Sequence, residues 1–331
     1  MSRQVSIKLG IDAAFATRRW ERPANIVRLA WELGFTCLEY CGDLIDPFFM
    51  GDTEAQMELA AEVKATSEEL GVEMWDLYTG MATHRFHGLA HSHPAMRRRM
   101  AQWVLEACDL ARAMGCTRWG GHVDAIPVEL LHDQEAYDRT VASLLAQWRE
   151  LADQATDKGI TALYIEQMYV PSEYPWNLRQ QGEALLGYNL DREGCRIYTT
   201  IDVGHQAGQQ YGMQPPDSDY REWLRHFGGF CEVVHLQQTS PEGSHHWPFT
   251  EEYNDAGHID MDEVMSSLQE GHLAAADHPL AEVLPPVEEQ RLILEVIPGS
   301  TKSEDRLLKE LQISHDYLRQ WVPAEGLVWA V

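Results

Sequence analysis

The chain has 331 residues, of which 44% are hydrophobic, and a formal net charge of −26. This length suits one large α/β domain or two smaller ones, and the apolar content is enough for a full core. The acidic charge argues against a nucleic-acid or anionic-membrane partner, because either partner needs a basic face on the protein.

The sequence also predicts a location. Residues 1–10 show no charged stretch followed by an apolar segment, which predicts that there is no signal peptide. No apolar run approaches the roughly 18 residues of a membrane-spanning helix. The six cysteines form no Cys-x-x-Cys pair, and several lie in apolar segments. They are therefore predicted to be free thiols in a reducing cytoplasm.

Strand-like and helix-like segments alternate along the whole chain. β-rich apolar runs predict strands at about Ser6–Ala13, Thr36–Tyr40, Glu73–Tyr78, Arg118–His122, Thr161–Glu166, Ile197–Asp202, Glu232–Leu236 and Leu292–Val296. Apolar residues at three- and four-residue spacing predict helices at about Pro23–Leu33, Thr53–Leu70, Pro94–Met114, Gln134–Lys158, Leu178–Gly187, Asp219–Phe227, Met261–Glu270 and Ser303–Trp321.

Eight strands alternating with eight helices predict a (β/α)₈ TIM barrel. The alternative is a doubly wound sheet, which usually has a Gly-x-Gly-x-x-Gly turn after its first strand. Here the first strand is followed by Asp12-Ala13-Ala14-Phe15. No composition shift marks a boundary, so residues 1–331 are predicted to form a single domain. An extended active-site loop is expected at about 237–258, and a surface connection at about 271–290.

Four polar residues stand at the ends of apolar strands. Glu166, Asp202, His235 and Glu295 end predicted strands 5, 6, 7 and 8. Burying one such group is costly unless it is paired, and four in the same setting indicate one shared centre. Each alone is also explained by pairing with loop amides. A divalent cation is the simplest centre, and this mostly oxygen ligand set suits Mn²⁺, Mg²⁺ or Co²⁺ better than a thiolate-type zinc site.

Such a site predicts a reaction. A cation that holds a carbonyl and the adjacent hydroxyl stabilises the enediolate that forms when the shared carbon loses its proton. Two carboxylates on opposite sides of the enediolate can remove that proton on one face and return one on the other. Glu166 and Glu295 are the best placed for this role, since strands 5 and 8 flank the strands of the other two ligands.

These residues resemble the motif of the xylose-isomerase-like sugar (phosphate) isomerases and epimerases, including the ketose 3-epimerases. The matching positions are Glu166, Asp202-Val203-Gly204-His205, His235 and Glu295, and the likeness covers nearly the whole chain. The resemblance implies a metal-dependent barrel, Mn²⁺ as the first choice of cation, and a homo-oligomer. It also implies that Glu166 and Glu295 are both metal ligands and the acid/base pair, and that His205 contacts substrate oxygens. The start, Leu9 to Ala16 followed by Arg18-Arg19-Trp20, is similar to the erythrulose-phosphate 3-epimerase branch.

Further substrate contacts are predicted around the strand ends. The ketose 3-epimerases place an arginine shortly after the strand-7 histidine, whereas this chain has none, so Gln238, His245 or His246 is predicted to hold the substrate instead. His122 follows two glycines that permit close approach. Packing explains it equally well. Trp75 and Tyr78 are candidate walls for an apolar sugar face, with the barrel core as the alternative.

Two helix starts have competing interpretations. Gly299-Ser300-Thr301-Lys302 is a candidate phosphate site, although Thr301 with Glu304 also satisfies a capping box. Asp260-Met261-Asp262 resembles part of a second metal site, but capping of the helix is favoured.

The sequence therefore predicts a metal-dependent isomerase or epimerase of a small ketose or ketose phosphate. A hydride-shift isomerase and a keto-inositol dehydratase are alternatives on the same fold. An abasic-site endonuclease is disfavoured by the acidic charge. A non-catalytic sugar-binding barrel would have no need of two opposed proton carriers.

Overall fold

A computed structural model of the chain describes residues 3–79, 83, 86–122 and 124–331. Eight parallel strands pair in sequence order, and β8 pairs back with β1, so the sheet closes into a barrel. The strands are β1 Gln4–Asp12, β2 Cys37–Cys41, β3 Glu73–Tyr78, β4 Arg118–Gly121, β5 Ala162–Glu166, β6 Arg196–Asp202, β7 Val233–Leu236 and β8 Glu289–Leu294. This confirms the predicted (β/α)₈ fold.

The helices that connect these strands cover the outside of the barrel. They are α1 Pro23–Glu32, α2 Pro47–Met50, α3 Thr53–Leu70, α4 Pro94–Ala113, α5 Val128–Leu131, α6 Gln134–Asp157, α7 Leu178–Asn189, α8 Tyr220–Phe227, α9 Glu251–Ala256, α10 Met261–Ala274 and α11 Glu304–Leu318. Every residue of β2, β5 and β7 is buried. Both faces of these strands are thus covered, as a parallel sheet requires.

Local sequence fixes the ends of the helices. Helix α3 begins after Asp52, whose carboxylate accepts the Ala55 N–H at 3.1 Å. It ends at Gly71, whose φ of +68° suits glycine. Asp260 caps α10 by accepting two amides, which agrees with the favoured capping interpretation. The N-cap of α11 is Ser303 rather than the predicted Thr301.

Trp75 closes the base of the barrel. The guanidinium carbons of Arg118 and Arg291 lie 3.7 and 3.8 Å from its ring centroid. Arg118 in turn bonds Glu232, and Arg291 bonds Glu73. The two cations are thereby paired although they are largely buried. Trp75 therefore fills the end of the barrel opposite the carboxyl ends of the strands.

Several features differ from the sequence prediction. The short helices α2, α5 and α9 were not predicted, and β8 begins and ends earlier than the predicted Leu292–Val296. A ninth strand, β9 Leu327–Ala330, runs antiparallel to the first residues of β1 and was not predicted. It fits there because β2 pairs with β1 only at Ile11 and Asp12, which leaves the start of β1 open on that side. Helix α10 also continues to Ala274, four residues beyond its predicted end.

The structure agrees with two further expectations. All six cysteines are unpaired and buried. No helix in the described ranges is long and apolar enough to cross a membrane. The cytoplasmic location itself stays a prediction.

Candidate metal centre and active-site cavity

Four predicted ligands meet at the mouth of the barrel. Each of Glu166, Asp202, His235 and Glu295 offers one ligand atom, and these atoms lie within 4.8 Å of one another. The register explains part of this, because Asp202 on β6 is the direct partner of His235 on β7. Glu166 is the last residue of β5, and Glu295 directly follows β8.

Three carboxylates surround one imidazole nitrogen. His235 Nδ1 lies 3.1 Å from Glu295 Oε2, 3.3 Å from Glu166 Oε1 and 4.0 Å from Asp202 Oδ2. His235 is fully buried, so water does not screen its ring directly from these carboxylates. Burial alone lowers the pKa of His235, but the carboxylates of Glu39 and Glu295 outweigh it and raise that pKa well above its ordinary value. The centre thus strongly favours a positive charge.

Glu39 determines which nitrogen of His235 faces the centre. Its Oε1 lies 2.8 Å from His235 Nε2, and neither side chain is exposed. A carboxylate at this distance accepts the Nε2 proton, which leaves the Nδ1 lone pair directed at the three acids. Burial raises the pKa of Glu39 to about 7, although His235 opposes the shift.

Asp202 is held by a neutral amide. Gln237 Nε2 lies 2.9 Å from each carboxylate oxygen of Asp202, and the Gly204 N–H donates to Oδ1 at 2.6 Å. The N–H of Asp202 itself donates to Gln167 Oε1 at 3.0 Å. Asp202 is therefore contacted from several directions by groups outside the ligand set.

His205, like His235, has one ring nitrogen held by a hydrogen-bond acceptor and the other facing the centre. Its Nδ1 lies 2.9 Å from the carbonyl oxygen of Gln167, which can only accept a hydrogen bond. Its Nε2 therefore carries the lone pair when the ring is neutral, and this atom lies 3.6 Å from Asp202 Oδ2. Asp202, His205 and His246 form a second group whose ligand atoms could converge on a cation.

A cavity of about 300 Å³ opens above these residues. Glu166, Glu295, His205 and His246 line it, together with Tyr78, Tyr169 and Ser244. Most of these side chains end in hydroxyl, carboxylate or imidazole groups, which pair with the hydroxyls of a small polar ligand.

His246 contributes to both the cavity and the centre. Its Nδ1 lies 3.2 Å from Glu295 Oε2. Burial lowers the pKa of His246, but Glu295 and Asp202 more than reverse this and raise it to about 9. His246 and His235 in turn hold the pKa of Glu295 well below its usual range, against the effect of burial.

The other predicted substrate residues lie elsewhere. Gln238 is buried in the loop after β7, where its amide bonds Ile259 and Asn254. Trp75 lies at the base of the barrel between two arginines. His122 is buried behind Thr79, a cavity-lining residue whose hydroxyl accepts the His122 N–H at 3.2 Å. Burial lowers the pKa of His122 to about 4.

Sequence reasoning missed four polar residues near the centre. Glu39 and Asp76 are fully buried, Gln237 contacts Asp202, and Asp12 lines the cavity. Asp12 is the last residue of β1, so it shows the same pattern of an acid at the end of an apolar strand that identified the predicted ligands. Burial and then Glu295 raise the pKa of Asp12 to about 8.

Comparisons with known proteins find a matching family model and a named relative. A family model described as xylose isomerase-like TIM barrel matches residues 27–274, a range that contains three of the four ligand candidates. D-erythrulose 1-phosphate 3-epimerase of Brucella abortus is 20% identical over 300 residues, which cover 90% of this chain and 94% of that protein.

Solved structures share the fold. A Rhodospirillum rubrum protein described as a candidate xylose isomerase superposes with a TM-score of 0.83 at 19% identity, covering 96% of this chain and all of that one. D-psicose 3-epimerase of Clostridium cellulolyticum, solved with D-tagatose, gives a TM-score of 0.65 at 16% identity, covering 95% and 98%.

Proposed function

Because this chain belongs to the xylose isomerase-like TIM barrel family, we propose that it is a divalent-metal-dependent enzyme that epimerises or isomerises a small ketose or ketose phosphate. One observation carries the proposal. Three carboxylates surround Nδ1 of His235, directly beneath a cavity that Glu166 and Glu295 line.

The residues fit a cation. His235 Nδ1 and Glu295 Oε2 are buried without a conventional hydrogen bond, and both atoms are directed at the same point. Glu166, Asp202, His235 and Glu295 would hold the ion, and three oxygen ligands with one nitrogen favour Mn²⁺, with Mg²⁺, Co²⁺ or Zn²⁺ as alternatives. A bound ion would supply a Lewis acid that polarises the substrate carbonyl.

Glu166 and Glu295 are proposed as the proton carriers. Both line the cavity, whereas Asp202 lies deeper and is fully buried. Nearby imidazoles keep the pKa of both glutamates low despite burial, so both are ionised and able to accept a proton at neutral pH. One glutamate removes the proton beside the carbonyl to give the enediolate. The other takes up a proton from water and returns it to the opposite face, and the first glutamate then releases its proton to water.

Histidines are proposed to hold the substrate. His205 presents its bare Nε2 and therefore accepts a hydrogen bond from a sugar hydroxyl. The charge that Glu295 and Asp202 induce on His246 makes it a donor to a substrate oxygen. His246 thus takes the position for which the sequence offered no arginine.

Phosphorylation of the substrate is supported by two observations. The Brucella relative is named for a phosphorylated tetrulose. A second cavity, which shares His245, His246 and Ile297 with the first, is lined by Lys302 and Arg306. Both cations already pair with Glu310, so a phosphate would have to compete with that carboxylate.

Two alternatives on the same fold remain distinct in their chemistry. A hydride-shift aldose–ketose isomerase would move hydrogen without exchange with solvent. A keto-inositol dehydratase would start from the same proton abstraction but lose water. A nuclease function is disfavoured by the net charge of −26.

The test is proton NMR in D₂O with Mn²⁺ or Mg²⁺, over a panel of tetroses, pentoses and hexoses with and without phosphate. We expect deuterium to enter the carbon whose configuration changes. Conversion without deuterium would identify a hydride shift and refute the proton-transfer mechanism. Absence of any turnover across the panel would favour a binding protein.

Variants then assign the two glutamates. Glu166→Gln and Glu295→Gln keep a carbonyl oxygen as a ligand but remove the base, and each should abolish epimerisation. Each should also retain exchange of the one epimer whose C–H bond faces the remaining glutamate. Glu232→Gln, at the base of the barrel, is the matched control and should keep full turnover. Full turnover by both active-site variants with metal bound would contradict the mechanism.

A further inference from the structure

Gln237 connects a metal ligand to the loop above it. Its Nε2 donates to both carboxylate oxygens of Asp202 and to Ser244 Oγ, at 2.9, 2.9 and 2.8 Å. Its Oε1 accepts the backbone N–H of His246 at 2.6 Å. The side chain is fully buried. Only this amide orientation satisfies all four partners, because carboxylate oxygens only accept and a backbone N–H only donates.

The fold leaves space for this amide. A Cβ added at Gly204 would lie 2.4 Å from Gln237 Cδ, closer than side chains approach. The glycine of Asp202-Val203-Gly204-His205 therefore allows Gln237 to pack directly against the turn that carries Asp202. This contact gives the motif glycine a specific packing role.

On its other side, Gln237 holds an unusual conformation in the segment 239–247, here called the histidine loop. His246 has a φ of +49°, which is uncommon for a residue other than glycine. Its N–H bond to Gln237 helps to fix this conformation, and its ring then faces Glu295. The loop ends are joined by backbone bonds between Gln238 and Trp247 at 2.8 and 3.0 Å.

We infer that Gln237 is a positioning residue that couples cation binding at Asp202 to the placement of the histidine loop, and so of His246. The inference rests on the proposed cation site. A cation that draws Asp202 into its coordination sphere fixes the carboxylate on which the Gln237 amide rests, and the same amide fixes the loop. By linkage, the ordered loop must favour cation binding by the same factor as the cation favours the ordered loop.

The neighbouring glutamine provides a matched control. Gln238 is buried and also stabilises this region, through Ile259 and Asn254, but it does not contact Asp202. Gln237→Met and Gln238→Met remove one amide each without adding a branch or a charge. Gln237→Asn keeps the amide without a change of charge, but its side chain is one methylene shorter and cannot hold both Asp202 and the His246 N–H.

The experiment combines Mn²⁺ titration calorimetry with amide hydrogen exchange of residues 239–247, in Mn²⁺ and in EDTA. In the wild type, Mn²⁺ should slow exchange in the loop. Gln237→Met should weaken Mn²⁺ binding by about 10- to 100-fold, the usual cost of losing a partner of a metal ligand. Even at saturating Mn²⁺, its loop should exchange as fast as in EDTA. Gln238→Met, which leaves the contact with Asp202 intact, should keep both the wild-type Mn²⁺ affinity and the slowing of loop exchange by Mn²⁺.

The outcomes separate the two proposals. A folded wild type that binds none of Mn²⁺, Mg²⁺, Co²⁺ or Zn²⁺ would overturn the proposed function. A wild type that binds Mn²⁺ without protection of the loop would overturn the coupling alone, as would a Gln237→Met protein with wild-type affinity and protection. If Gln237→Met does not fold, Gln237→Asn gives the same test without a change of charge, with weaker Mn²⁺ binding as the expected result.

Discussion

Replacing Glu39 tests whether a buried carboxylate prepares His235 for a cation. Glu39 Oε1 lies 2.8 Å from His235 Nε2, and both side chains are fully buried. Glu39→Leu removes the acceptor, so the ring is free to protonate Nδ1 and turn its lone pair away from the acids. Loss of such a partner costs about 10- to 100-fold in metal affinity, or roughly 1.4 to 2.7 kcal/mol. Because the side chains of Glu39 and His235 are both fully buried, we expect a loss of Mn²⁺ affinity near the upper end of this range.

Glu39→Gln separates the role of the hydrogen bond from that of the charge. The amide oxygen still accepts the Nε2 proton and keeps the tautomer, so the loss should be smaller than for Glu39→Leu. Titration calorimetry with Mn²⁺ measures both variants, and Glu232→Gln at the base of the barrel controls for loss of a partly buried acid. Wild-type Mn²⁺ affinity in a folded Glu39→Leu protein would refute the reasoning.

Three further predictions concern stability. Gly204→Ala should lower the free energy of unfolding by about 1–3 kcal/mol, because its Cβ would lie 2.4 Å from Gln237 Cδ, whereas Gly299→Ala, with open space around its Cβ, should be neutral in the same denaturation series. Burial lowers the pKa of His272 to about 4. Between pH 6.5 and 4 the unfolded chain therefore binds a proton that the folded chain does not. Stability should fall by about 2 kcal/mol at pH 5 from this group, and urea denaturation of His272→Gln should show a shallower pH dependence. EDTA should lower the melting temperature in calorimetry, since a cation at 100 times its Kd adds about 2.7 kcal/mol, and an unchanged melting temperature would contradict the cation site.

The strand-end acids could be predicted because their signal is local. Glu166 and Asp202 each end an apolar run that must be a buried strand, and a barrel brings all such ends to one face. The bounds of β3 and α3 were predicted to the residue for the same reason. Short pieces such as β9 depend on a gap in the pairing of β1, which no local pattern reveals.

The supporting residues depend on contacts between distant parts of the chain. Glu39 meets His235 across 196 residues, and nothing near Glu39 in sequence indicates that partner. Gln237, by contrast, could have been predicted from the sequence. Side chains alternate along a strand, so Gln237 shares the inward side of His235, and Gln238 does not. Extending the inward–outward alternation of side chains one residue beyond β7 would have identified Gln237 as a residue near the centre.

Trp75, a predicted substrate residue, lies too deep in the barrel to line the cavity. A strand rises about 3.3 Å per residue, so Trp75 lies roughly 10 Å below Tyr78, which lines the cavity. The sequence identifies both as aromatic residues of β3, but only the closed barrel determines which layer each one fills. The layer of Trp75 contains Arg118 and Arg291, and it seals the base.

The four ligand candidates are supported in two different ways, and the difference supports their proposed roles. Asp202 and His235 are fixed by partners that do not belong to the ligand set, namely Gln237 and Glu39. Among the described residues, the ion-pair partners of the Glu166 and Glu295 carboxylates are imidazole nitrogens at 3.1 to 3.7 Å.

Access to the substrate separates the three carboxylates. Glu166 and Glu295 line the cavity, whereas both oxygens of Asp202 accept hydrogen bonds from Gln237 beneath it. A carboxylate that only holds a cation gains from such fixed donors, whereas one that accepts a substrate proton needs an oxygen that the substrate can reach. Proton transfer is therefore expected to fail first in Glu166→Gln and Glu295→Gln, and cation binding first in variants of Asp202 and His235.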